Sequence, residues 1–166
     1  MKNPIKCILL FSMLFTPFAH AQWTTQVDDD LFTGGKKATM LGDLQGTEAA
    51  LIFDCTNKMV SISYIQRHSD QETISRVPFT LIVKIDANDA LKMDAQSGRR
   101  NSKYLEISAD DKDQILAIIK NLQQAKNQIL VGLQTKDGGN QFSLSGGVSG
   151  STKATDQFIK ACELPL

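Results

Sequence analysis

Two cysteines far apart in the chain, Cys55 and Cys162, limit what this sequence can fold into more than any other feature. Cys55 closes the apolar run ALIFDC, and Cys162 lies in the closing segment QFIKACELPL. A bond between them would join positions 107 residues apart and tie the end of the chain to a strand in its first half. The third cysteine, Cys7, sits in the opening segment MKNPIKCILLFSMLFTPFAHAQW, which reads as an export signal. Lys2 and Lys6 supply its positive region, Ile8 to Phe18 its apolar stretch, and Ala19-His20-Ala21 the small-x-small site a signal peptidase accepts. Cleavage after Ala21 then leaves Gln22 first and only two cysteines behind. The apolar stretch is shorter than the about 20 residues a membrane span needs. Cys7 precedes that stretch, so it is not the lipidated first residue of a mature chain.

An even pair of cysteines in an exported chain reads as a disulfide. In the chain-entropy model a loop of about 100 residues contributes about 4.7 kcal/mol, less any strain in the native state. That is a large share of the roughly 5–15 kcal/mol that stabilises a typical domain. The competing readings are two free thiols and a retained membrane anchor. A structural zinc site takes about four ligands, and two cysteines with one histidine fall short. Residues 22 to 166 have the length of one domain. The 18 basic and 18 acidic residues balance, and loss of Lys2 and Lys6 makes the mature chain slightly acidic. No basic excess marks a nucleic-acid surface. The local cluster Arg99-Arg100-Asn101-Ser102-Lys103 reads as a solvated turn.

Much of the chain alternates with the period of two that half-buried strands require. Leu51, Phe53 and Cys55 share one side of ALIFDC, with Asp54 on the other. After a turn at Thr56-Asn57-Lys58, Val60, Ile62 and Tyr64 alternate with Ser61 and Ser63. Phe79, Leu81, Val83 and Ile85 share a face, as do Ile129, Val131 and Leu133, then Phe142 and Leu144. Asp137-Gly138-Gly139-Asn140 suits a hairpin between the last two runs. KATMLGDL, DALKMDA and KYLEIS are weaker strand candidates. Ile115, Ile118, Ile119 and Leu122 fall at helical spacing, with Ser108 and Asp111 in a capping arrangement. Ala154, Phe158, Ala161 and Cys162 form a second helical stripe, capped by Ser149 or Ser151. These elements predict a single β-rich α+β domain, a small antiparallel β-sandwich with two helices. The disulfide would pin the second helix to the sheet.

Catalytic constellations are hard to assemble from what remains. A serine nucleophile needs a base, usually histidine. His68 is the only histidine beyond the export signal. It lies in the polar segment QRHSDQETISR, and no Gly-x-Ser-x-Gly elbow presents a serine. His68, Asp70 and Glu72 would make at most a weak surface metal site. Asp28-Asp29-Asp30 lacks the alternating acids and glycine of a calcium loop and reads as turn chemistry before Gly34-Gly35. GGVSGSTK places its lysine after the hydroxyl residues, the reverse of a phosphate-binding loop, and reads as a strand-to-helix connection. No residue is therefore assigned to catalysis, a cofactor or a metal.

Trp23, the acidic turn Asp28 to Asp30, LIFDC leading to MVSISY, and Val83-Lys84-Ile85-Asp86 come in an order that resembles the small exported proteins grouped with VasI, a type VI secretion-associated protein. The ending QILVGL, then FSLSGG and a helix, is similar to the invasion-associated locus B proteins. The resemblance implies a periplasmic β-sandwich without established catalysis, acting in a secretion or envelope context. The resulting expectation is a non-enzymatic periplasmic or secreted protein that binds another macromolecule, a protein being the expected partner, with no nucleic acid and no membrane span after cleavage. A periplasmic enzyme inhibitor, for example of a lysozyme, and a hydrolase using His68 are the alternatives.

Overall fold

The computed structural model describes residues 22–46, 48–56, 59–68 and 75–166. The signal segment, its cleavage site after Ala21, the turn residues Asn57 and Lys58, and Asp70 and Glu72 lie outside the described residues. Nine strands and two helices follow in the order β1 (Trp23–Asp29), β2 (Lys36–Leu44), β3 (Ala49–Cys55), β4 (Val60–Arg67), β5 (Pro78–Ile85), β6 (Leu91–Asn101) and β7 (Tyr104–Ala109). Helix α1 (Lys112–Gln123), β8 (Gln128–Thr135), β9 (Gln141–Gly147) and α2 (Ser151–Ala161) complete the chain. The described strands form one antiparallel sheet in the order β1-β2-β3-β4-β7-β6-β5-β8-β9.

The sandwich expectation needs correcting: the strands make one curled sheet, a half-barrel, not two facing sheets. The reason lies in what covers the apolar face. Alternation in β2 to β8 turns Met40, Leu51, Phe53, Ile62, Leu81, Val83 and Val131 to one side, and all are fully buried. Both helices lie on that side. Ile115, Ile118, Ile119 and Leu122 of α1 and Phe158 of α2 pack into the same core. Phe158 meets Phe53 edge-on at 6.3 Å between ring centroids, and Phe53 meets Trp23 at 6.3 Å. Two amphipathic helices thus do for this sheet what a second sheet does in a sandwich.

Curling brings the two ends of the sheet together along one seam. The Gln45 amide donates to Ser145 O at 2.7 Å, linking the end of β2 to β9. The amides of Gln22 and Trp23 both donate to Ser149 O, at 3.0 and 3.1 Å. The Trp23 indole Nε1 donates to Gly147 O at 2.8 Å. Gly42 is required where it stands, because a Cβ there would overlap the Trp23 ring. Along the free edge of β1, the Thr25 hydroxyl donates to Ala154 O of α2 at 2.7 Å. Edge strands with bare backbone invite aggregation, and here helix and seam cover much of that edge.

Local expectations fare unevenly. The three weaker strand candidates are β2, β6 and β7, whereas β1 was not foreseen, because TTQVDD carries little apolar alternation. Asp111, not Ser108, caps α1, its side chain accepting from the Gln114 amide at 3.2 Å; Ser108 belongs to β7. Helix α2 starts after Gly150 in the left-handed region (φ 83°), and no side chain caps it. The Asp137–Asn140 turn is present, with Gly138 at φ 74°. Cys55 and Cys162 are bonded, with Cα atoms 6.1 Å apart. Cys162 is the C-cap of α2, so the bond fixes the helix end to the inner face of β3. Cys162→Ala should lower unfolding free energy by about 2–5 kcal/mol. Chemical denaturation of wild type and variant, both free of reductant, measures the difference.

Candidate functional site

The face of the sheet turned away from the helices carries the most developed site. Asp54 on β3, Ser61 and Ser63 on β4, Glu106 and Ser108 on β7, and Arg100 on β6 all line a groove of about 570 Å³. Their placement follows from alternation. Asp54 sits between the inward Phe53 and Cys55, and Ser61 and Ser63 flank the inward Ile62. Ser63 and Ser108 are direct cross-strand partners.

Arg100 organises this face. Its Nη1 donates to Asp54 Oδ2 at 2.7 Å and its Nη2 to Asp54 Oδ1 at 2.9 Å, a bidentate pair. Glu106 Oε2 lies 3.8 Å from Nη1. The Thr39 hydroxyl also donates to Asp54 Oδ1, at 2.8 Å. In the sheet order, β7 and β4 lie between Arg100 on β6 and Asp54 on β3. Three strand spacings of about 4.8 Å would put them too far apart on a flat sheet. The pair therefore forms only where the sheet departs locally from flat, and both residues line the groove. Hydrogen bonding to Asp54 raises the Arg100 pKa above its ordinary value, against the opposing effect of burial.

A smaller hollow of about 330 Å³ continues from Asp54 and Ser61 past Thr39, Lys37 and Asp28 to Met59. It leads to the turn between β1 and β2, where the surface changes character. Leu31 is 91 % exposed and Phe32 99 % exposed. Met59, 72 % exposed, lies in the β3–β4 turn at the same end of the sheet. The Leu31-Phe32 tip is a built turn. Asp30 Oδ1 accepts from the Phe32 amide at 3.1 Å and Oδ2 from the Thr33 hydroxyl at 2.6 Å. The Asp30 amide donates to Gly35 O, and the Gly34 amide to Asp30 O, both at 2.9 Å. Lys36 pairs with Asp29 across the strands below.

The Thr33 hydroxyl, followed by the Phe32 amide, holds the Asp30 carboxyl below its usual value. A depressed native pKa means that its stabilising contribution is complete above the ordinary aspartate range near about pH 3.9. That contribution is lost as the pH falls from there through the native value. At neutral pH the tip therefore keeps its full anchor.

The other sequence candidates are dispersed. His68 is exposed at the end of β4, its amide donating to Lys103 O at 2.8 Å. It does not line the groove. Asp28 and Asp29 belong to β1, and only Asp30 does the turn chemistry foreseen for the triplet. The basic cluster is only in part the solvated turn expected: Ser102 and Lys103 form the exposed turn between β6 and β7. Arg99 and Arg100 are strand residues, and the irregular pairing between Arg99 and Asn101 marks a bulge. Bulges re-aim side chains next to functional surfaces. Two consecutive arginines on opposite sides of a strand carry no signal that one meets Asp54, 46 residues earlier.

Arg100→Ala should cost about 1–2 kcal/mol, since charged hydrogen bonds are lost at a partly solvated pair. Arg100→Lys should restore less than half of that loss, because an ammonium cannot reproduce the planar fork. A double-mutant cycle with Asp54→Ala checks the pairing, with an expected coupling of about 1 kcal/mol or more.

Among known family models, curated proteins and solved structures, none matches this chain.

Proposed function

We propose that this chain is a non-enzymatic, exported binding protein that docks another protein through the Leu31-Phe32 tip. The observation that carries the reading is the near-complete exposure of two adjacent large apolar side chains on a turn fixed by Asp30. Single exposed apolar residues are ordinary. Two on a rigid projection, with Met59 at the same end, make an anchor of the kind that dominates protein interfaces. A turn already ordered before binding also loses little entropy on docking.

The neighbouring charges favour a protein over a lipid surface. Asp28, Asp29 and Asp30 precede the tip, and an anionic leaflet would repel them. Lys36 is engaged by Asp29, leaving Lys37 as the nearby cation without an ion pair among the described residues. Export is supported by the Cys55–Cys162 bond, since disulfides persist in oxidising compartments. The secretion or envelope context implied by the VasI resemblance belongs to this proposal. So does the inhibitor reading, in which the tip enters an enzyme's cleft. The non-enzymatic part draws support from the groove, whose serines have no histidine beside them in its lining.

A photo-crosslinking residue at position 32, with one at position 84 as control, would identify the partner in periplasmic and culture-medium fractions. The purified partner should bind Leu31→Ser/Phe32→Ser about tenfold or more weakly than wild type. The melting temperature should be unchanged, since both side chains are exposed. Equal affinity of variant and wild type would remove the tip from the account. Ester or peptide hydrolysis that disappears in His68→Ala would overturn the non-enzymatic reading.

A further inference from the structure

We infer that the outer edge of β9 is a self-association site, independent of the tip. A second copy of this chain pairs its own β9 there, antiparallel, about a two-fold axis at Phe142. The two ends of the sheet meet along only part of β9. Ser145 O accepts from the Gln45 amide and Gly147 O from the Trp23 indole, so both turn away from β8 toward the seam. Backbone groups of alternate residues in an antiparallel strand point the same way. Gln141 and Ser143 therefore also turn their N–H and C=O outward. Asn140 has the opposite phase, its O accepting from the Thr135 amide on β8. No backbone partner meets Gln141 or Ser143 on the outward side among the described residues. Gln141, Phe142 and Ser143 are all exposed.

This half of β9 carries none of the devices that keep a sheet edge single. Charged side chains, proline and bulges normally block edge-to-edge pairing. Gln141-Phe142-Ser143-Leu144 holds no charge and no proline, and its pairing with β8 runs without a register shift. The other end of the sheet is guarded. Thr25 of β1 is tied to α2, and Asp28 and Asp29 close the strand with negative charge. Phe142 adds apolar surface to the open edge. Its ring meets Tyr64 edge-on at 5.8 Å, which holds it in place, and the residue remains 45 % exposed.

The register of the strand selects a second copy as the occupant. About a two-fold axis at Phe142, Gln141 opposes the partner's Ser143, and Ser143 opposes the partner's Gln141. The residues of each pair point their backbone groups at one another, so each pair exchanges both N–H to O bonds. Phe142 then opposes the partner's Phe142 at the closely spaced position, with Cβ atoms about 4.5–5.5 Å apart. An aromatic pair at that position stabilises the ladder, and no like charges face each other across it. The two-fold pairing uses the same patch on both copies, so it closes as a dimer and does not propagate. A contact confined to these residues is smaller than the about 1,200–2,000 Å² that stable complexes bury. Association is therefore weak and builds with concentration.

The test is sedimentation equilibrium of the exported, disulfide-bonded protein over a range of concentrations. The average mass should rise from monomer toward dimer with a Kd of about 10–300 μM. Backbone amide shifts at Gln141 and Ser143 of ¹⁵N-labelled protein should move over the same range. Gln141→Lys/Ser143→Lys sets lysine against lysine in both pairs and should weaken association about tenfold or more. Gln141→Lys/Ser143→Glu sets lysine against glutamate in both pairs and should associate at least as well as wild type. Both variants should keep the wild-type melting temperature, since the substituted side chains are exposed. Leu31→Ser/Phe32→Ser should associate as wild type does, so this site and the tip stand or fall separately. A wild-type protein that stays monomeric up to about 1 mM, equal association of the two charge variants, or association lost in the tip variant would overturn the inference.

Discussion

The register of β3 is the constraint on which the rest of the structure depends. Neighbouring residues in a strand point to opposite faces, and β3 uses both faces at consecutive positions. Cys55 turns inward and holds the end of α2, while Asp54 turns outward and holds Arg100. Phe53 turns inward against Trp23 and Phe158, while Ile52 turns outward into a small cluster with Ala50 and Ile65, packed by Leu41 and Tyr104. A slip of one residue would exchange every member of the two sets. It would break the staple, the aromatic core and the groove together.

Burial on both faces is unusual for an antiparallel strand, which commonly keeps one face in water. Here the inner cover is the helix pair, and the outer cover of Ile52 is the side-chain cluster of Ala50, Ile65, Leu41 and Tyr104. As the sheet rolls, the Trp23 indole and the Ser149 carbonyl close the seam between β1, β2 and the segment after β9. Roll on the inner side makes room for two helices. On the outer side Arg100 reaches over β7 and β4 to Asp54.

How much of this could be read from the sequence follows from range. The pairing of Cys55 with Cys162 was legible, because oxidised compartments leave an even pair few alternatives. Strands β3, β4, β5, β8 and β9, and the faces of both helices, were legible from apolar spacing. Strand β1 was hidden because it is an edge, where Thr24, Gln26 and Asp28 face solvent and the pattern has little contrast. The caps were misplaced by a few residues, since Ser108, Asp111, Ser149 and Ser151 all have cap chemistry and only backbone geometry decides among them. The single curled sheet was misread as a sandwich, because strand patterning reports that one face is buried and not what buries it. Of the site, Asp30's turn was visible as local chemistry. Arg100 was not, because its role needs a fold that brings β6 over β3. Phe32 gave no signal either, as an apolar residue in a turn looks the same whether covered or bare.

Native-state hydrogen exchange tests the central place of β3 most directly. If its register clamps both faces, the amides of β3 within the sheet, Leu51 to Phe53, open only with global unfolding. Their exchange free energies should then equal the global value from denaturation. Reduction of the disulfide should lower protection in α2 first, while β3 remains among the last segments to exchange. Exchange of Leu51 to Phe53 through a local opening well below the global free energy, with α2 still protected, would contradict the account.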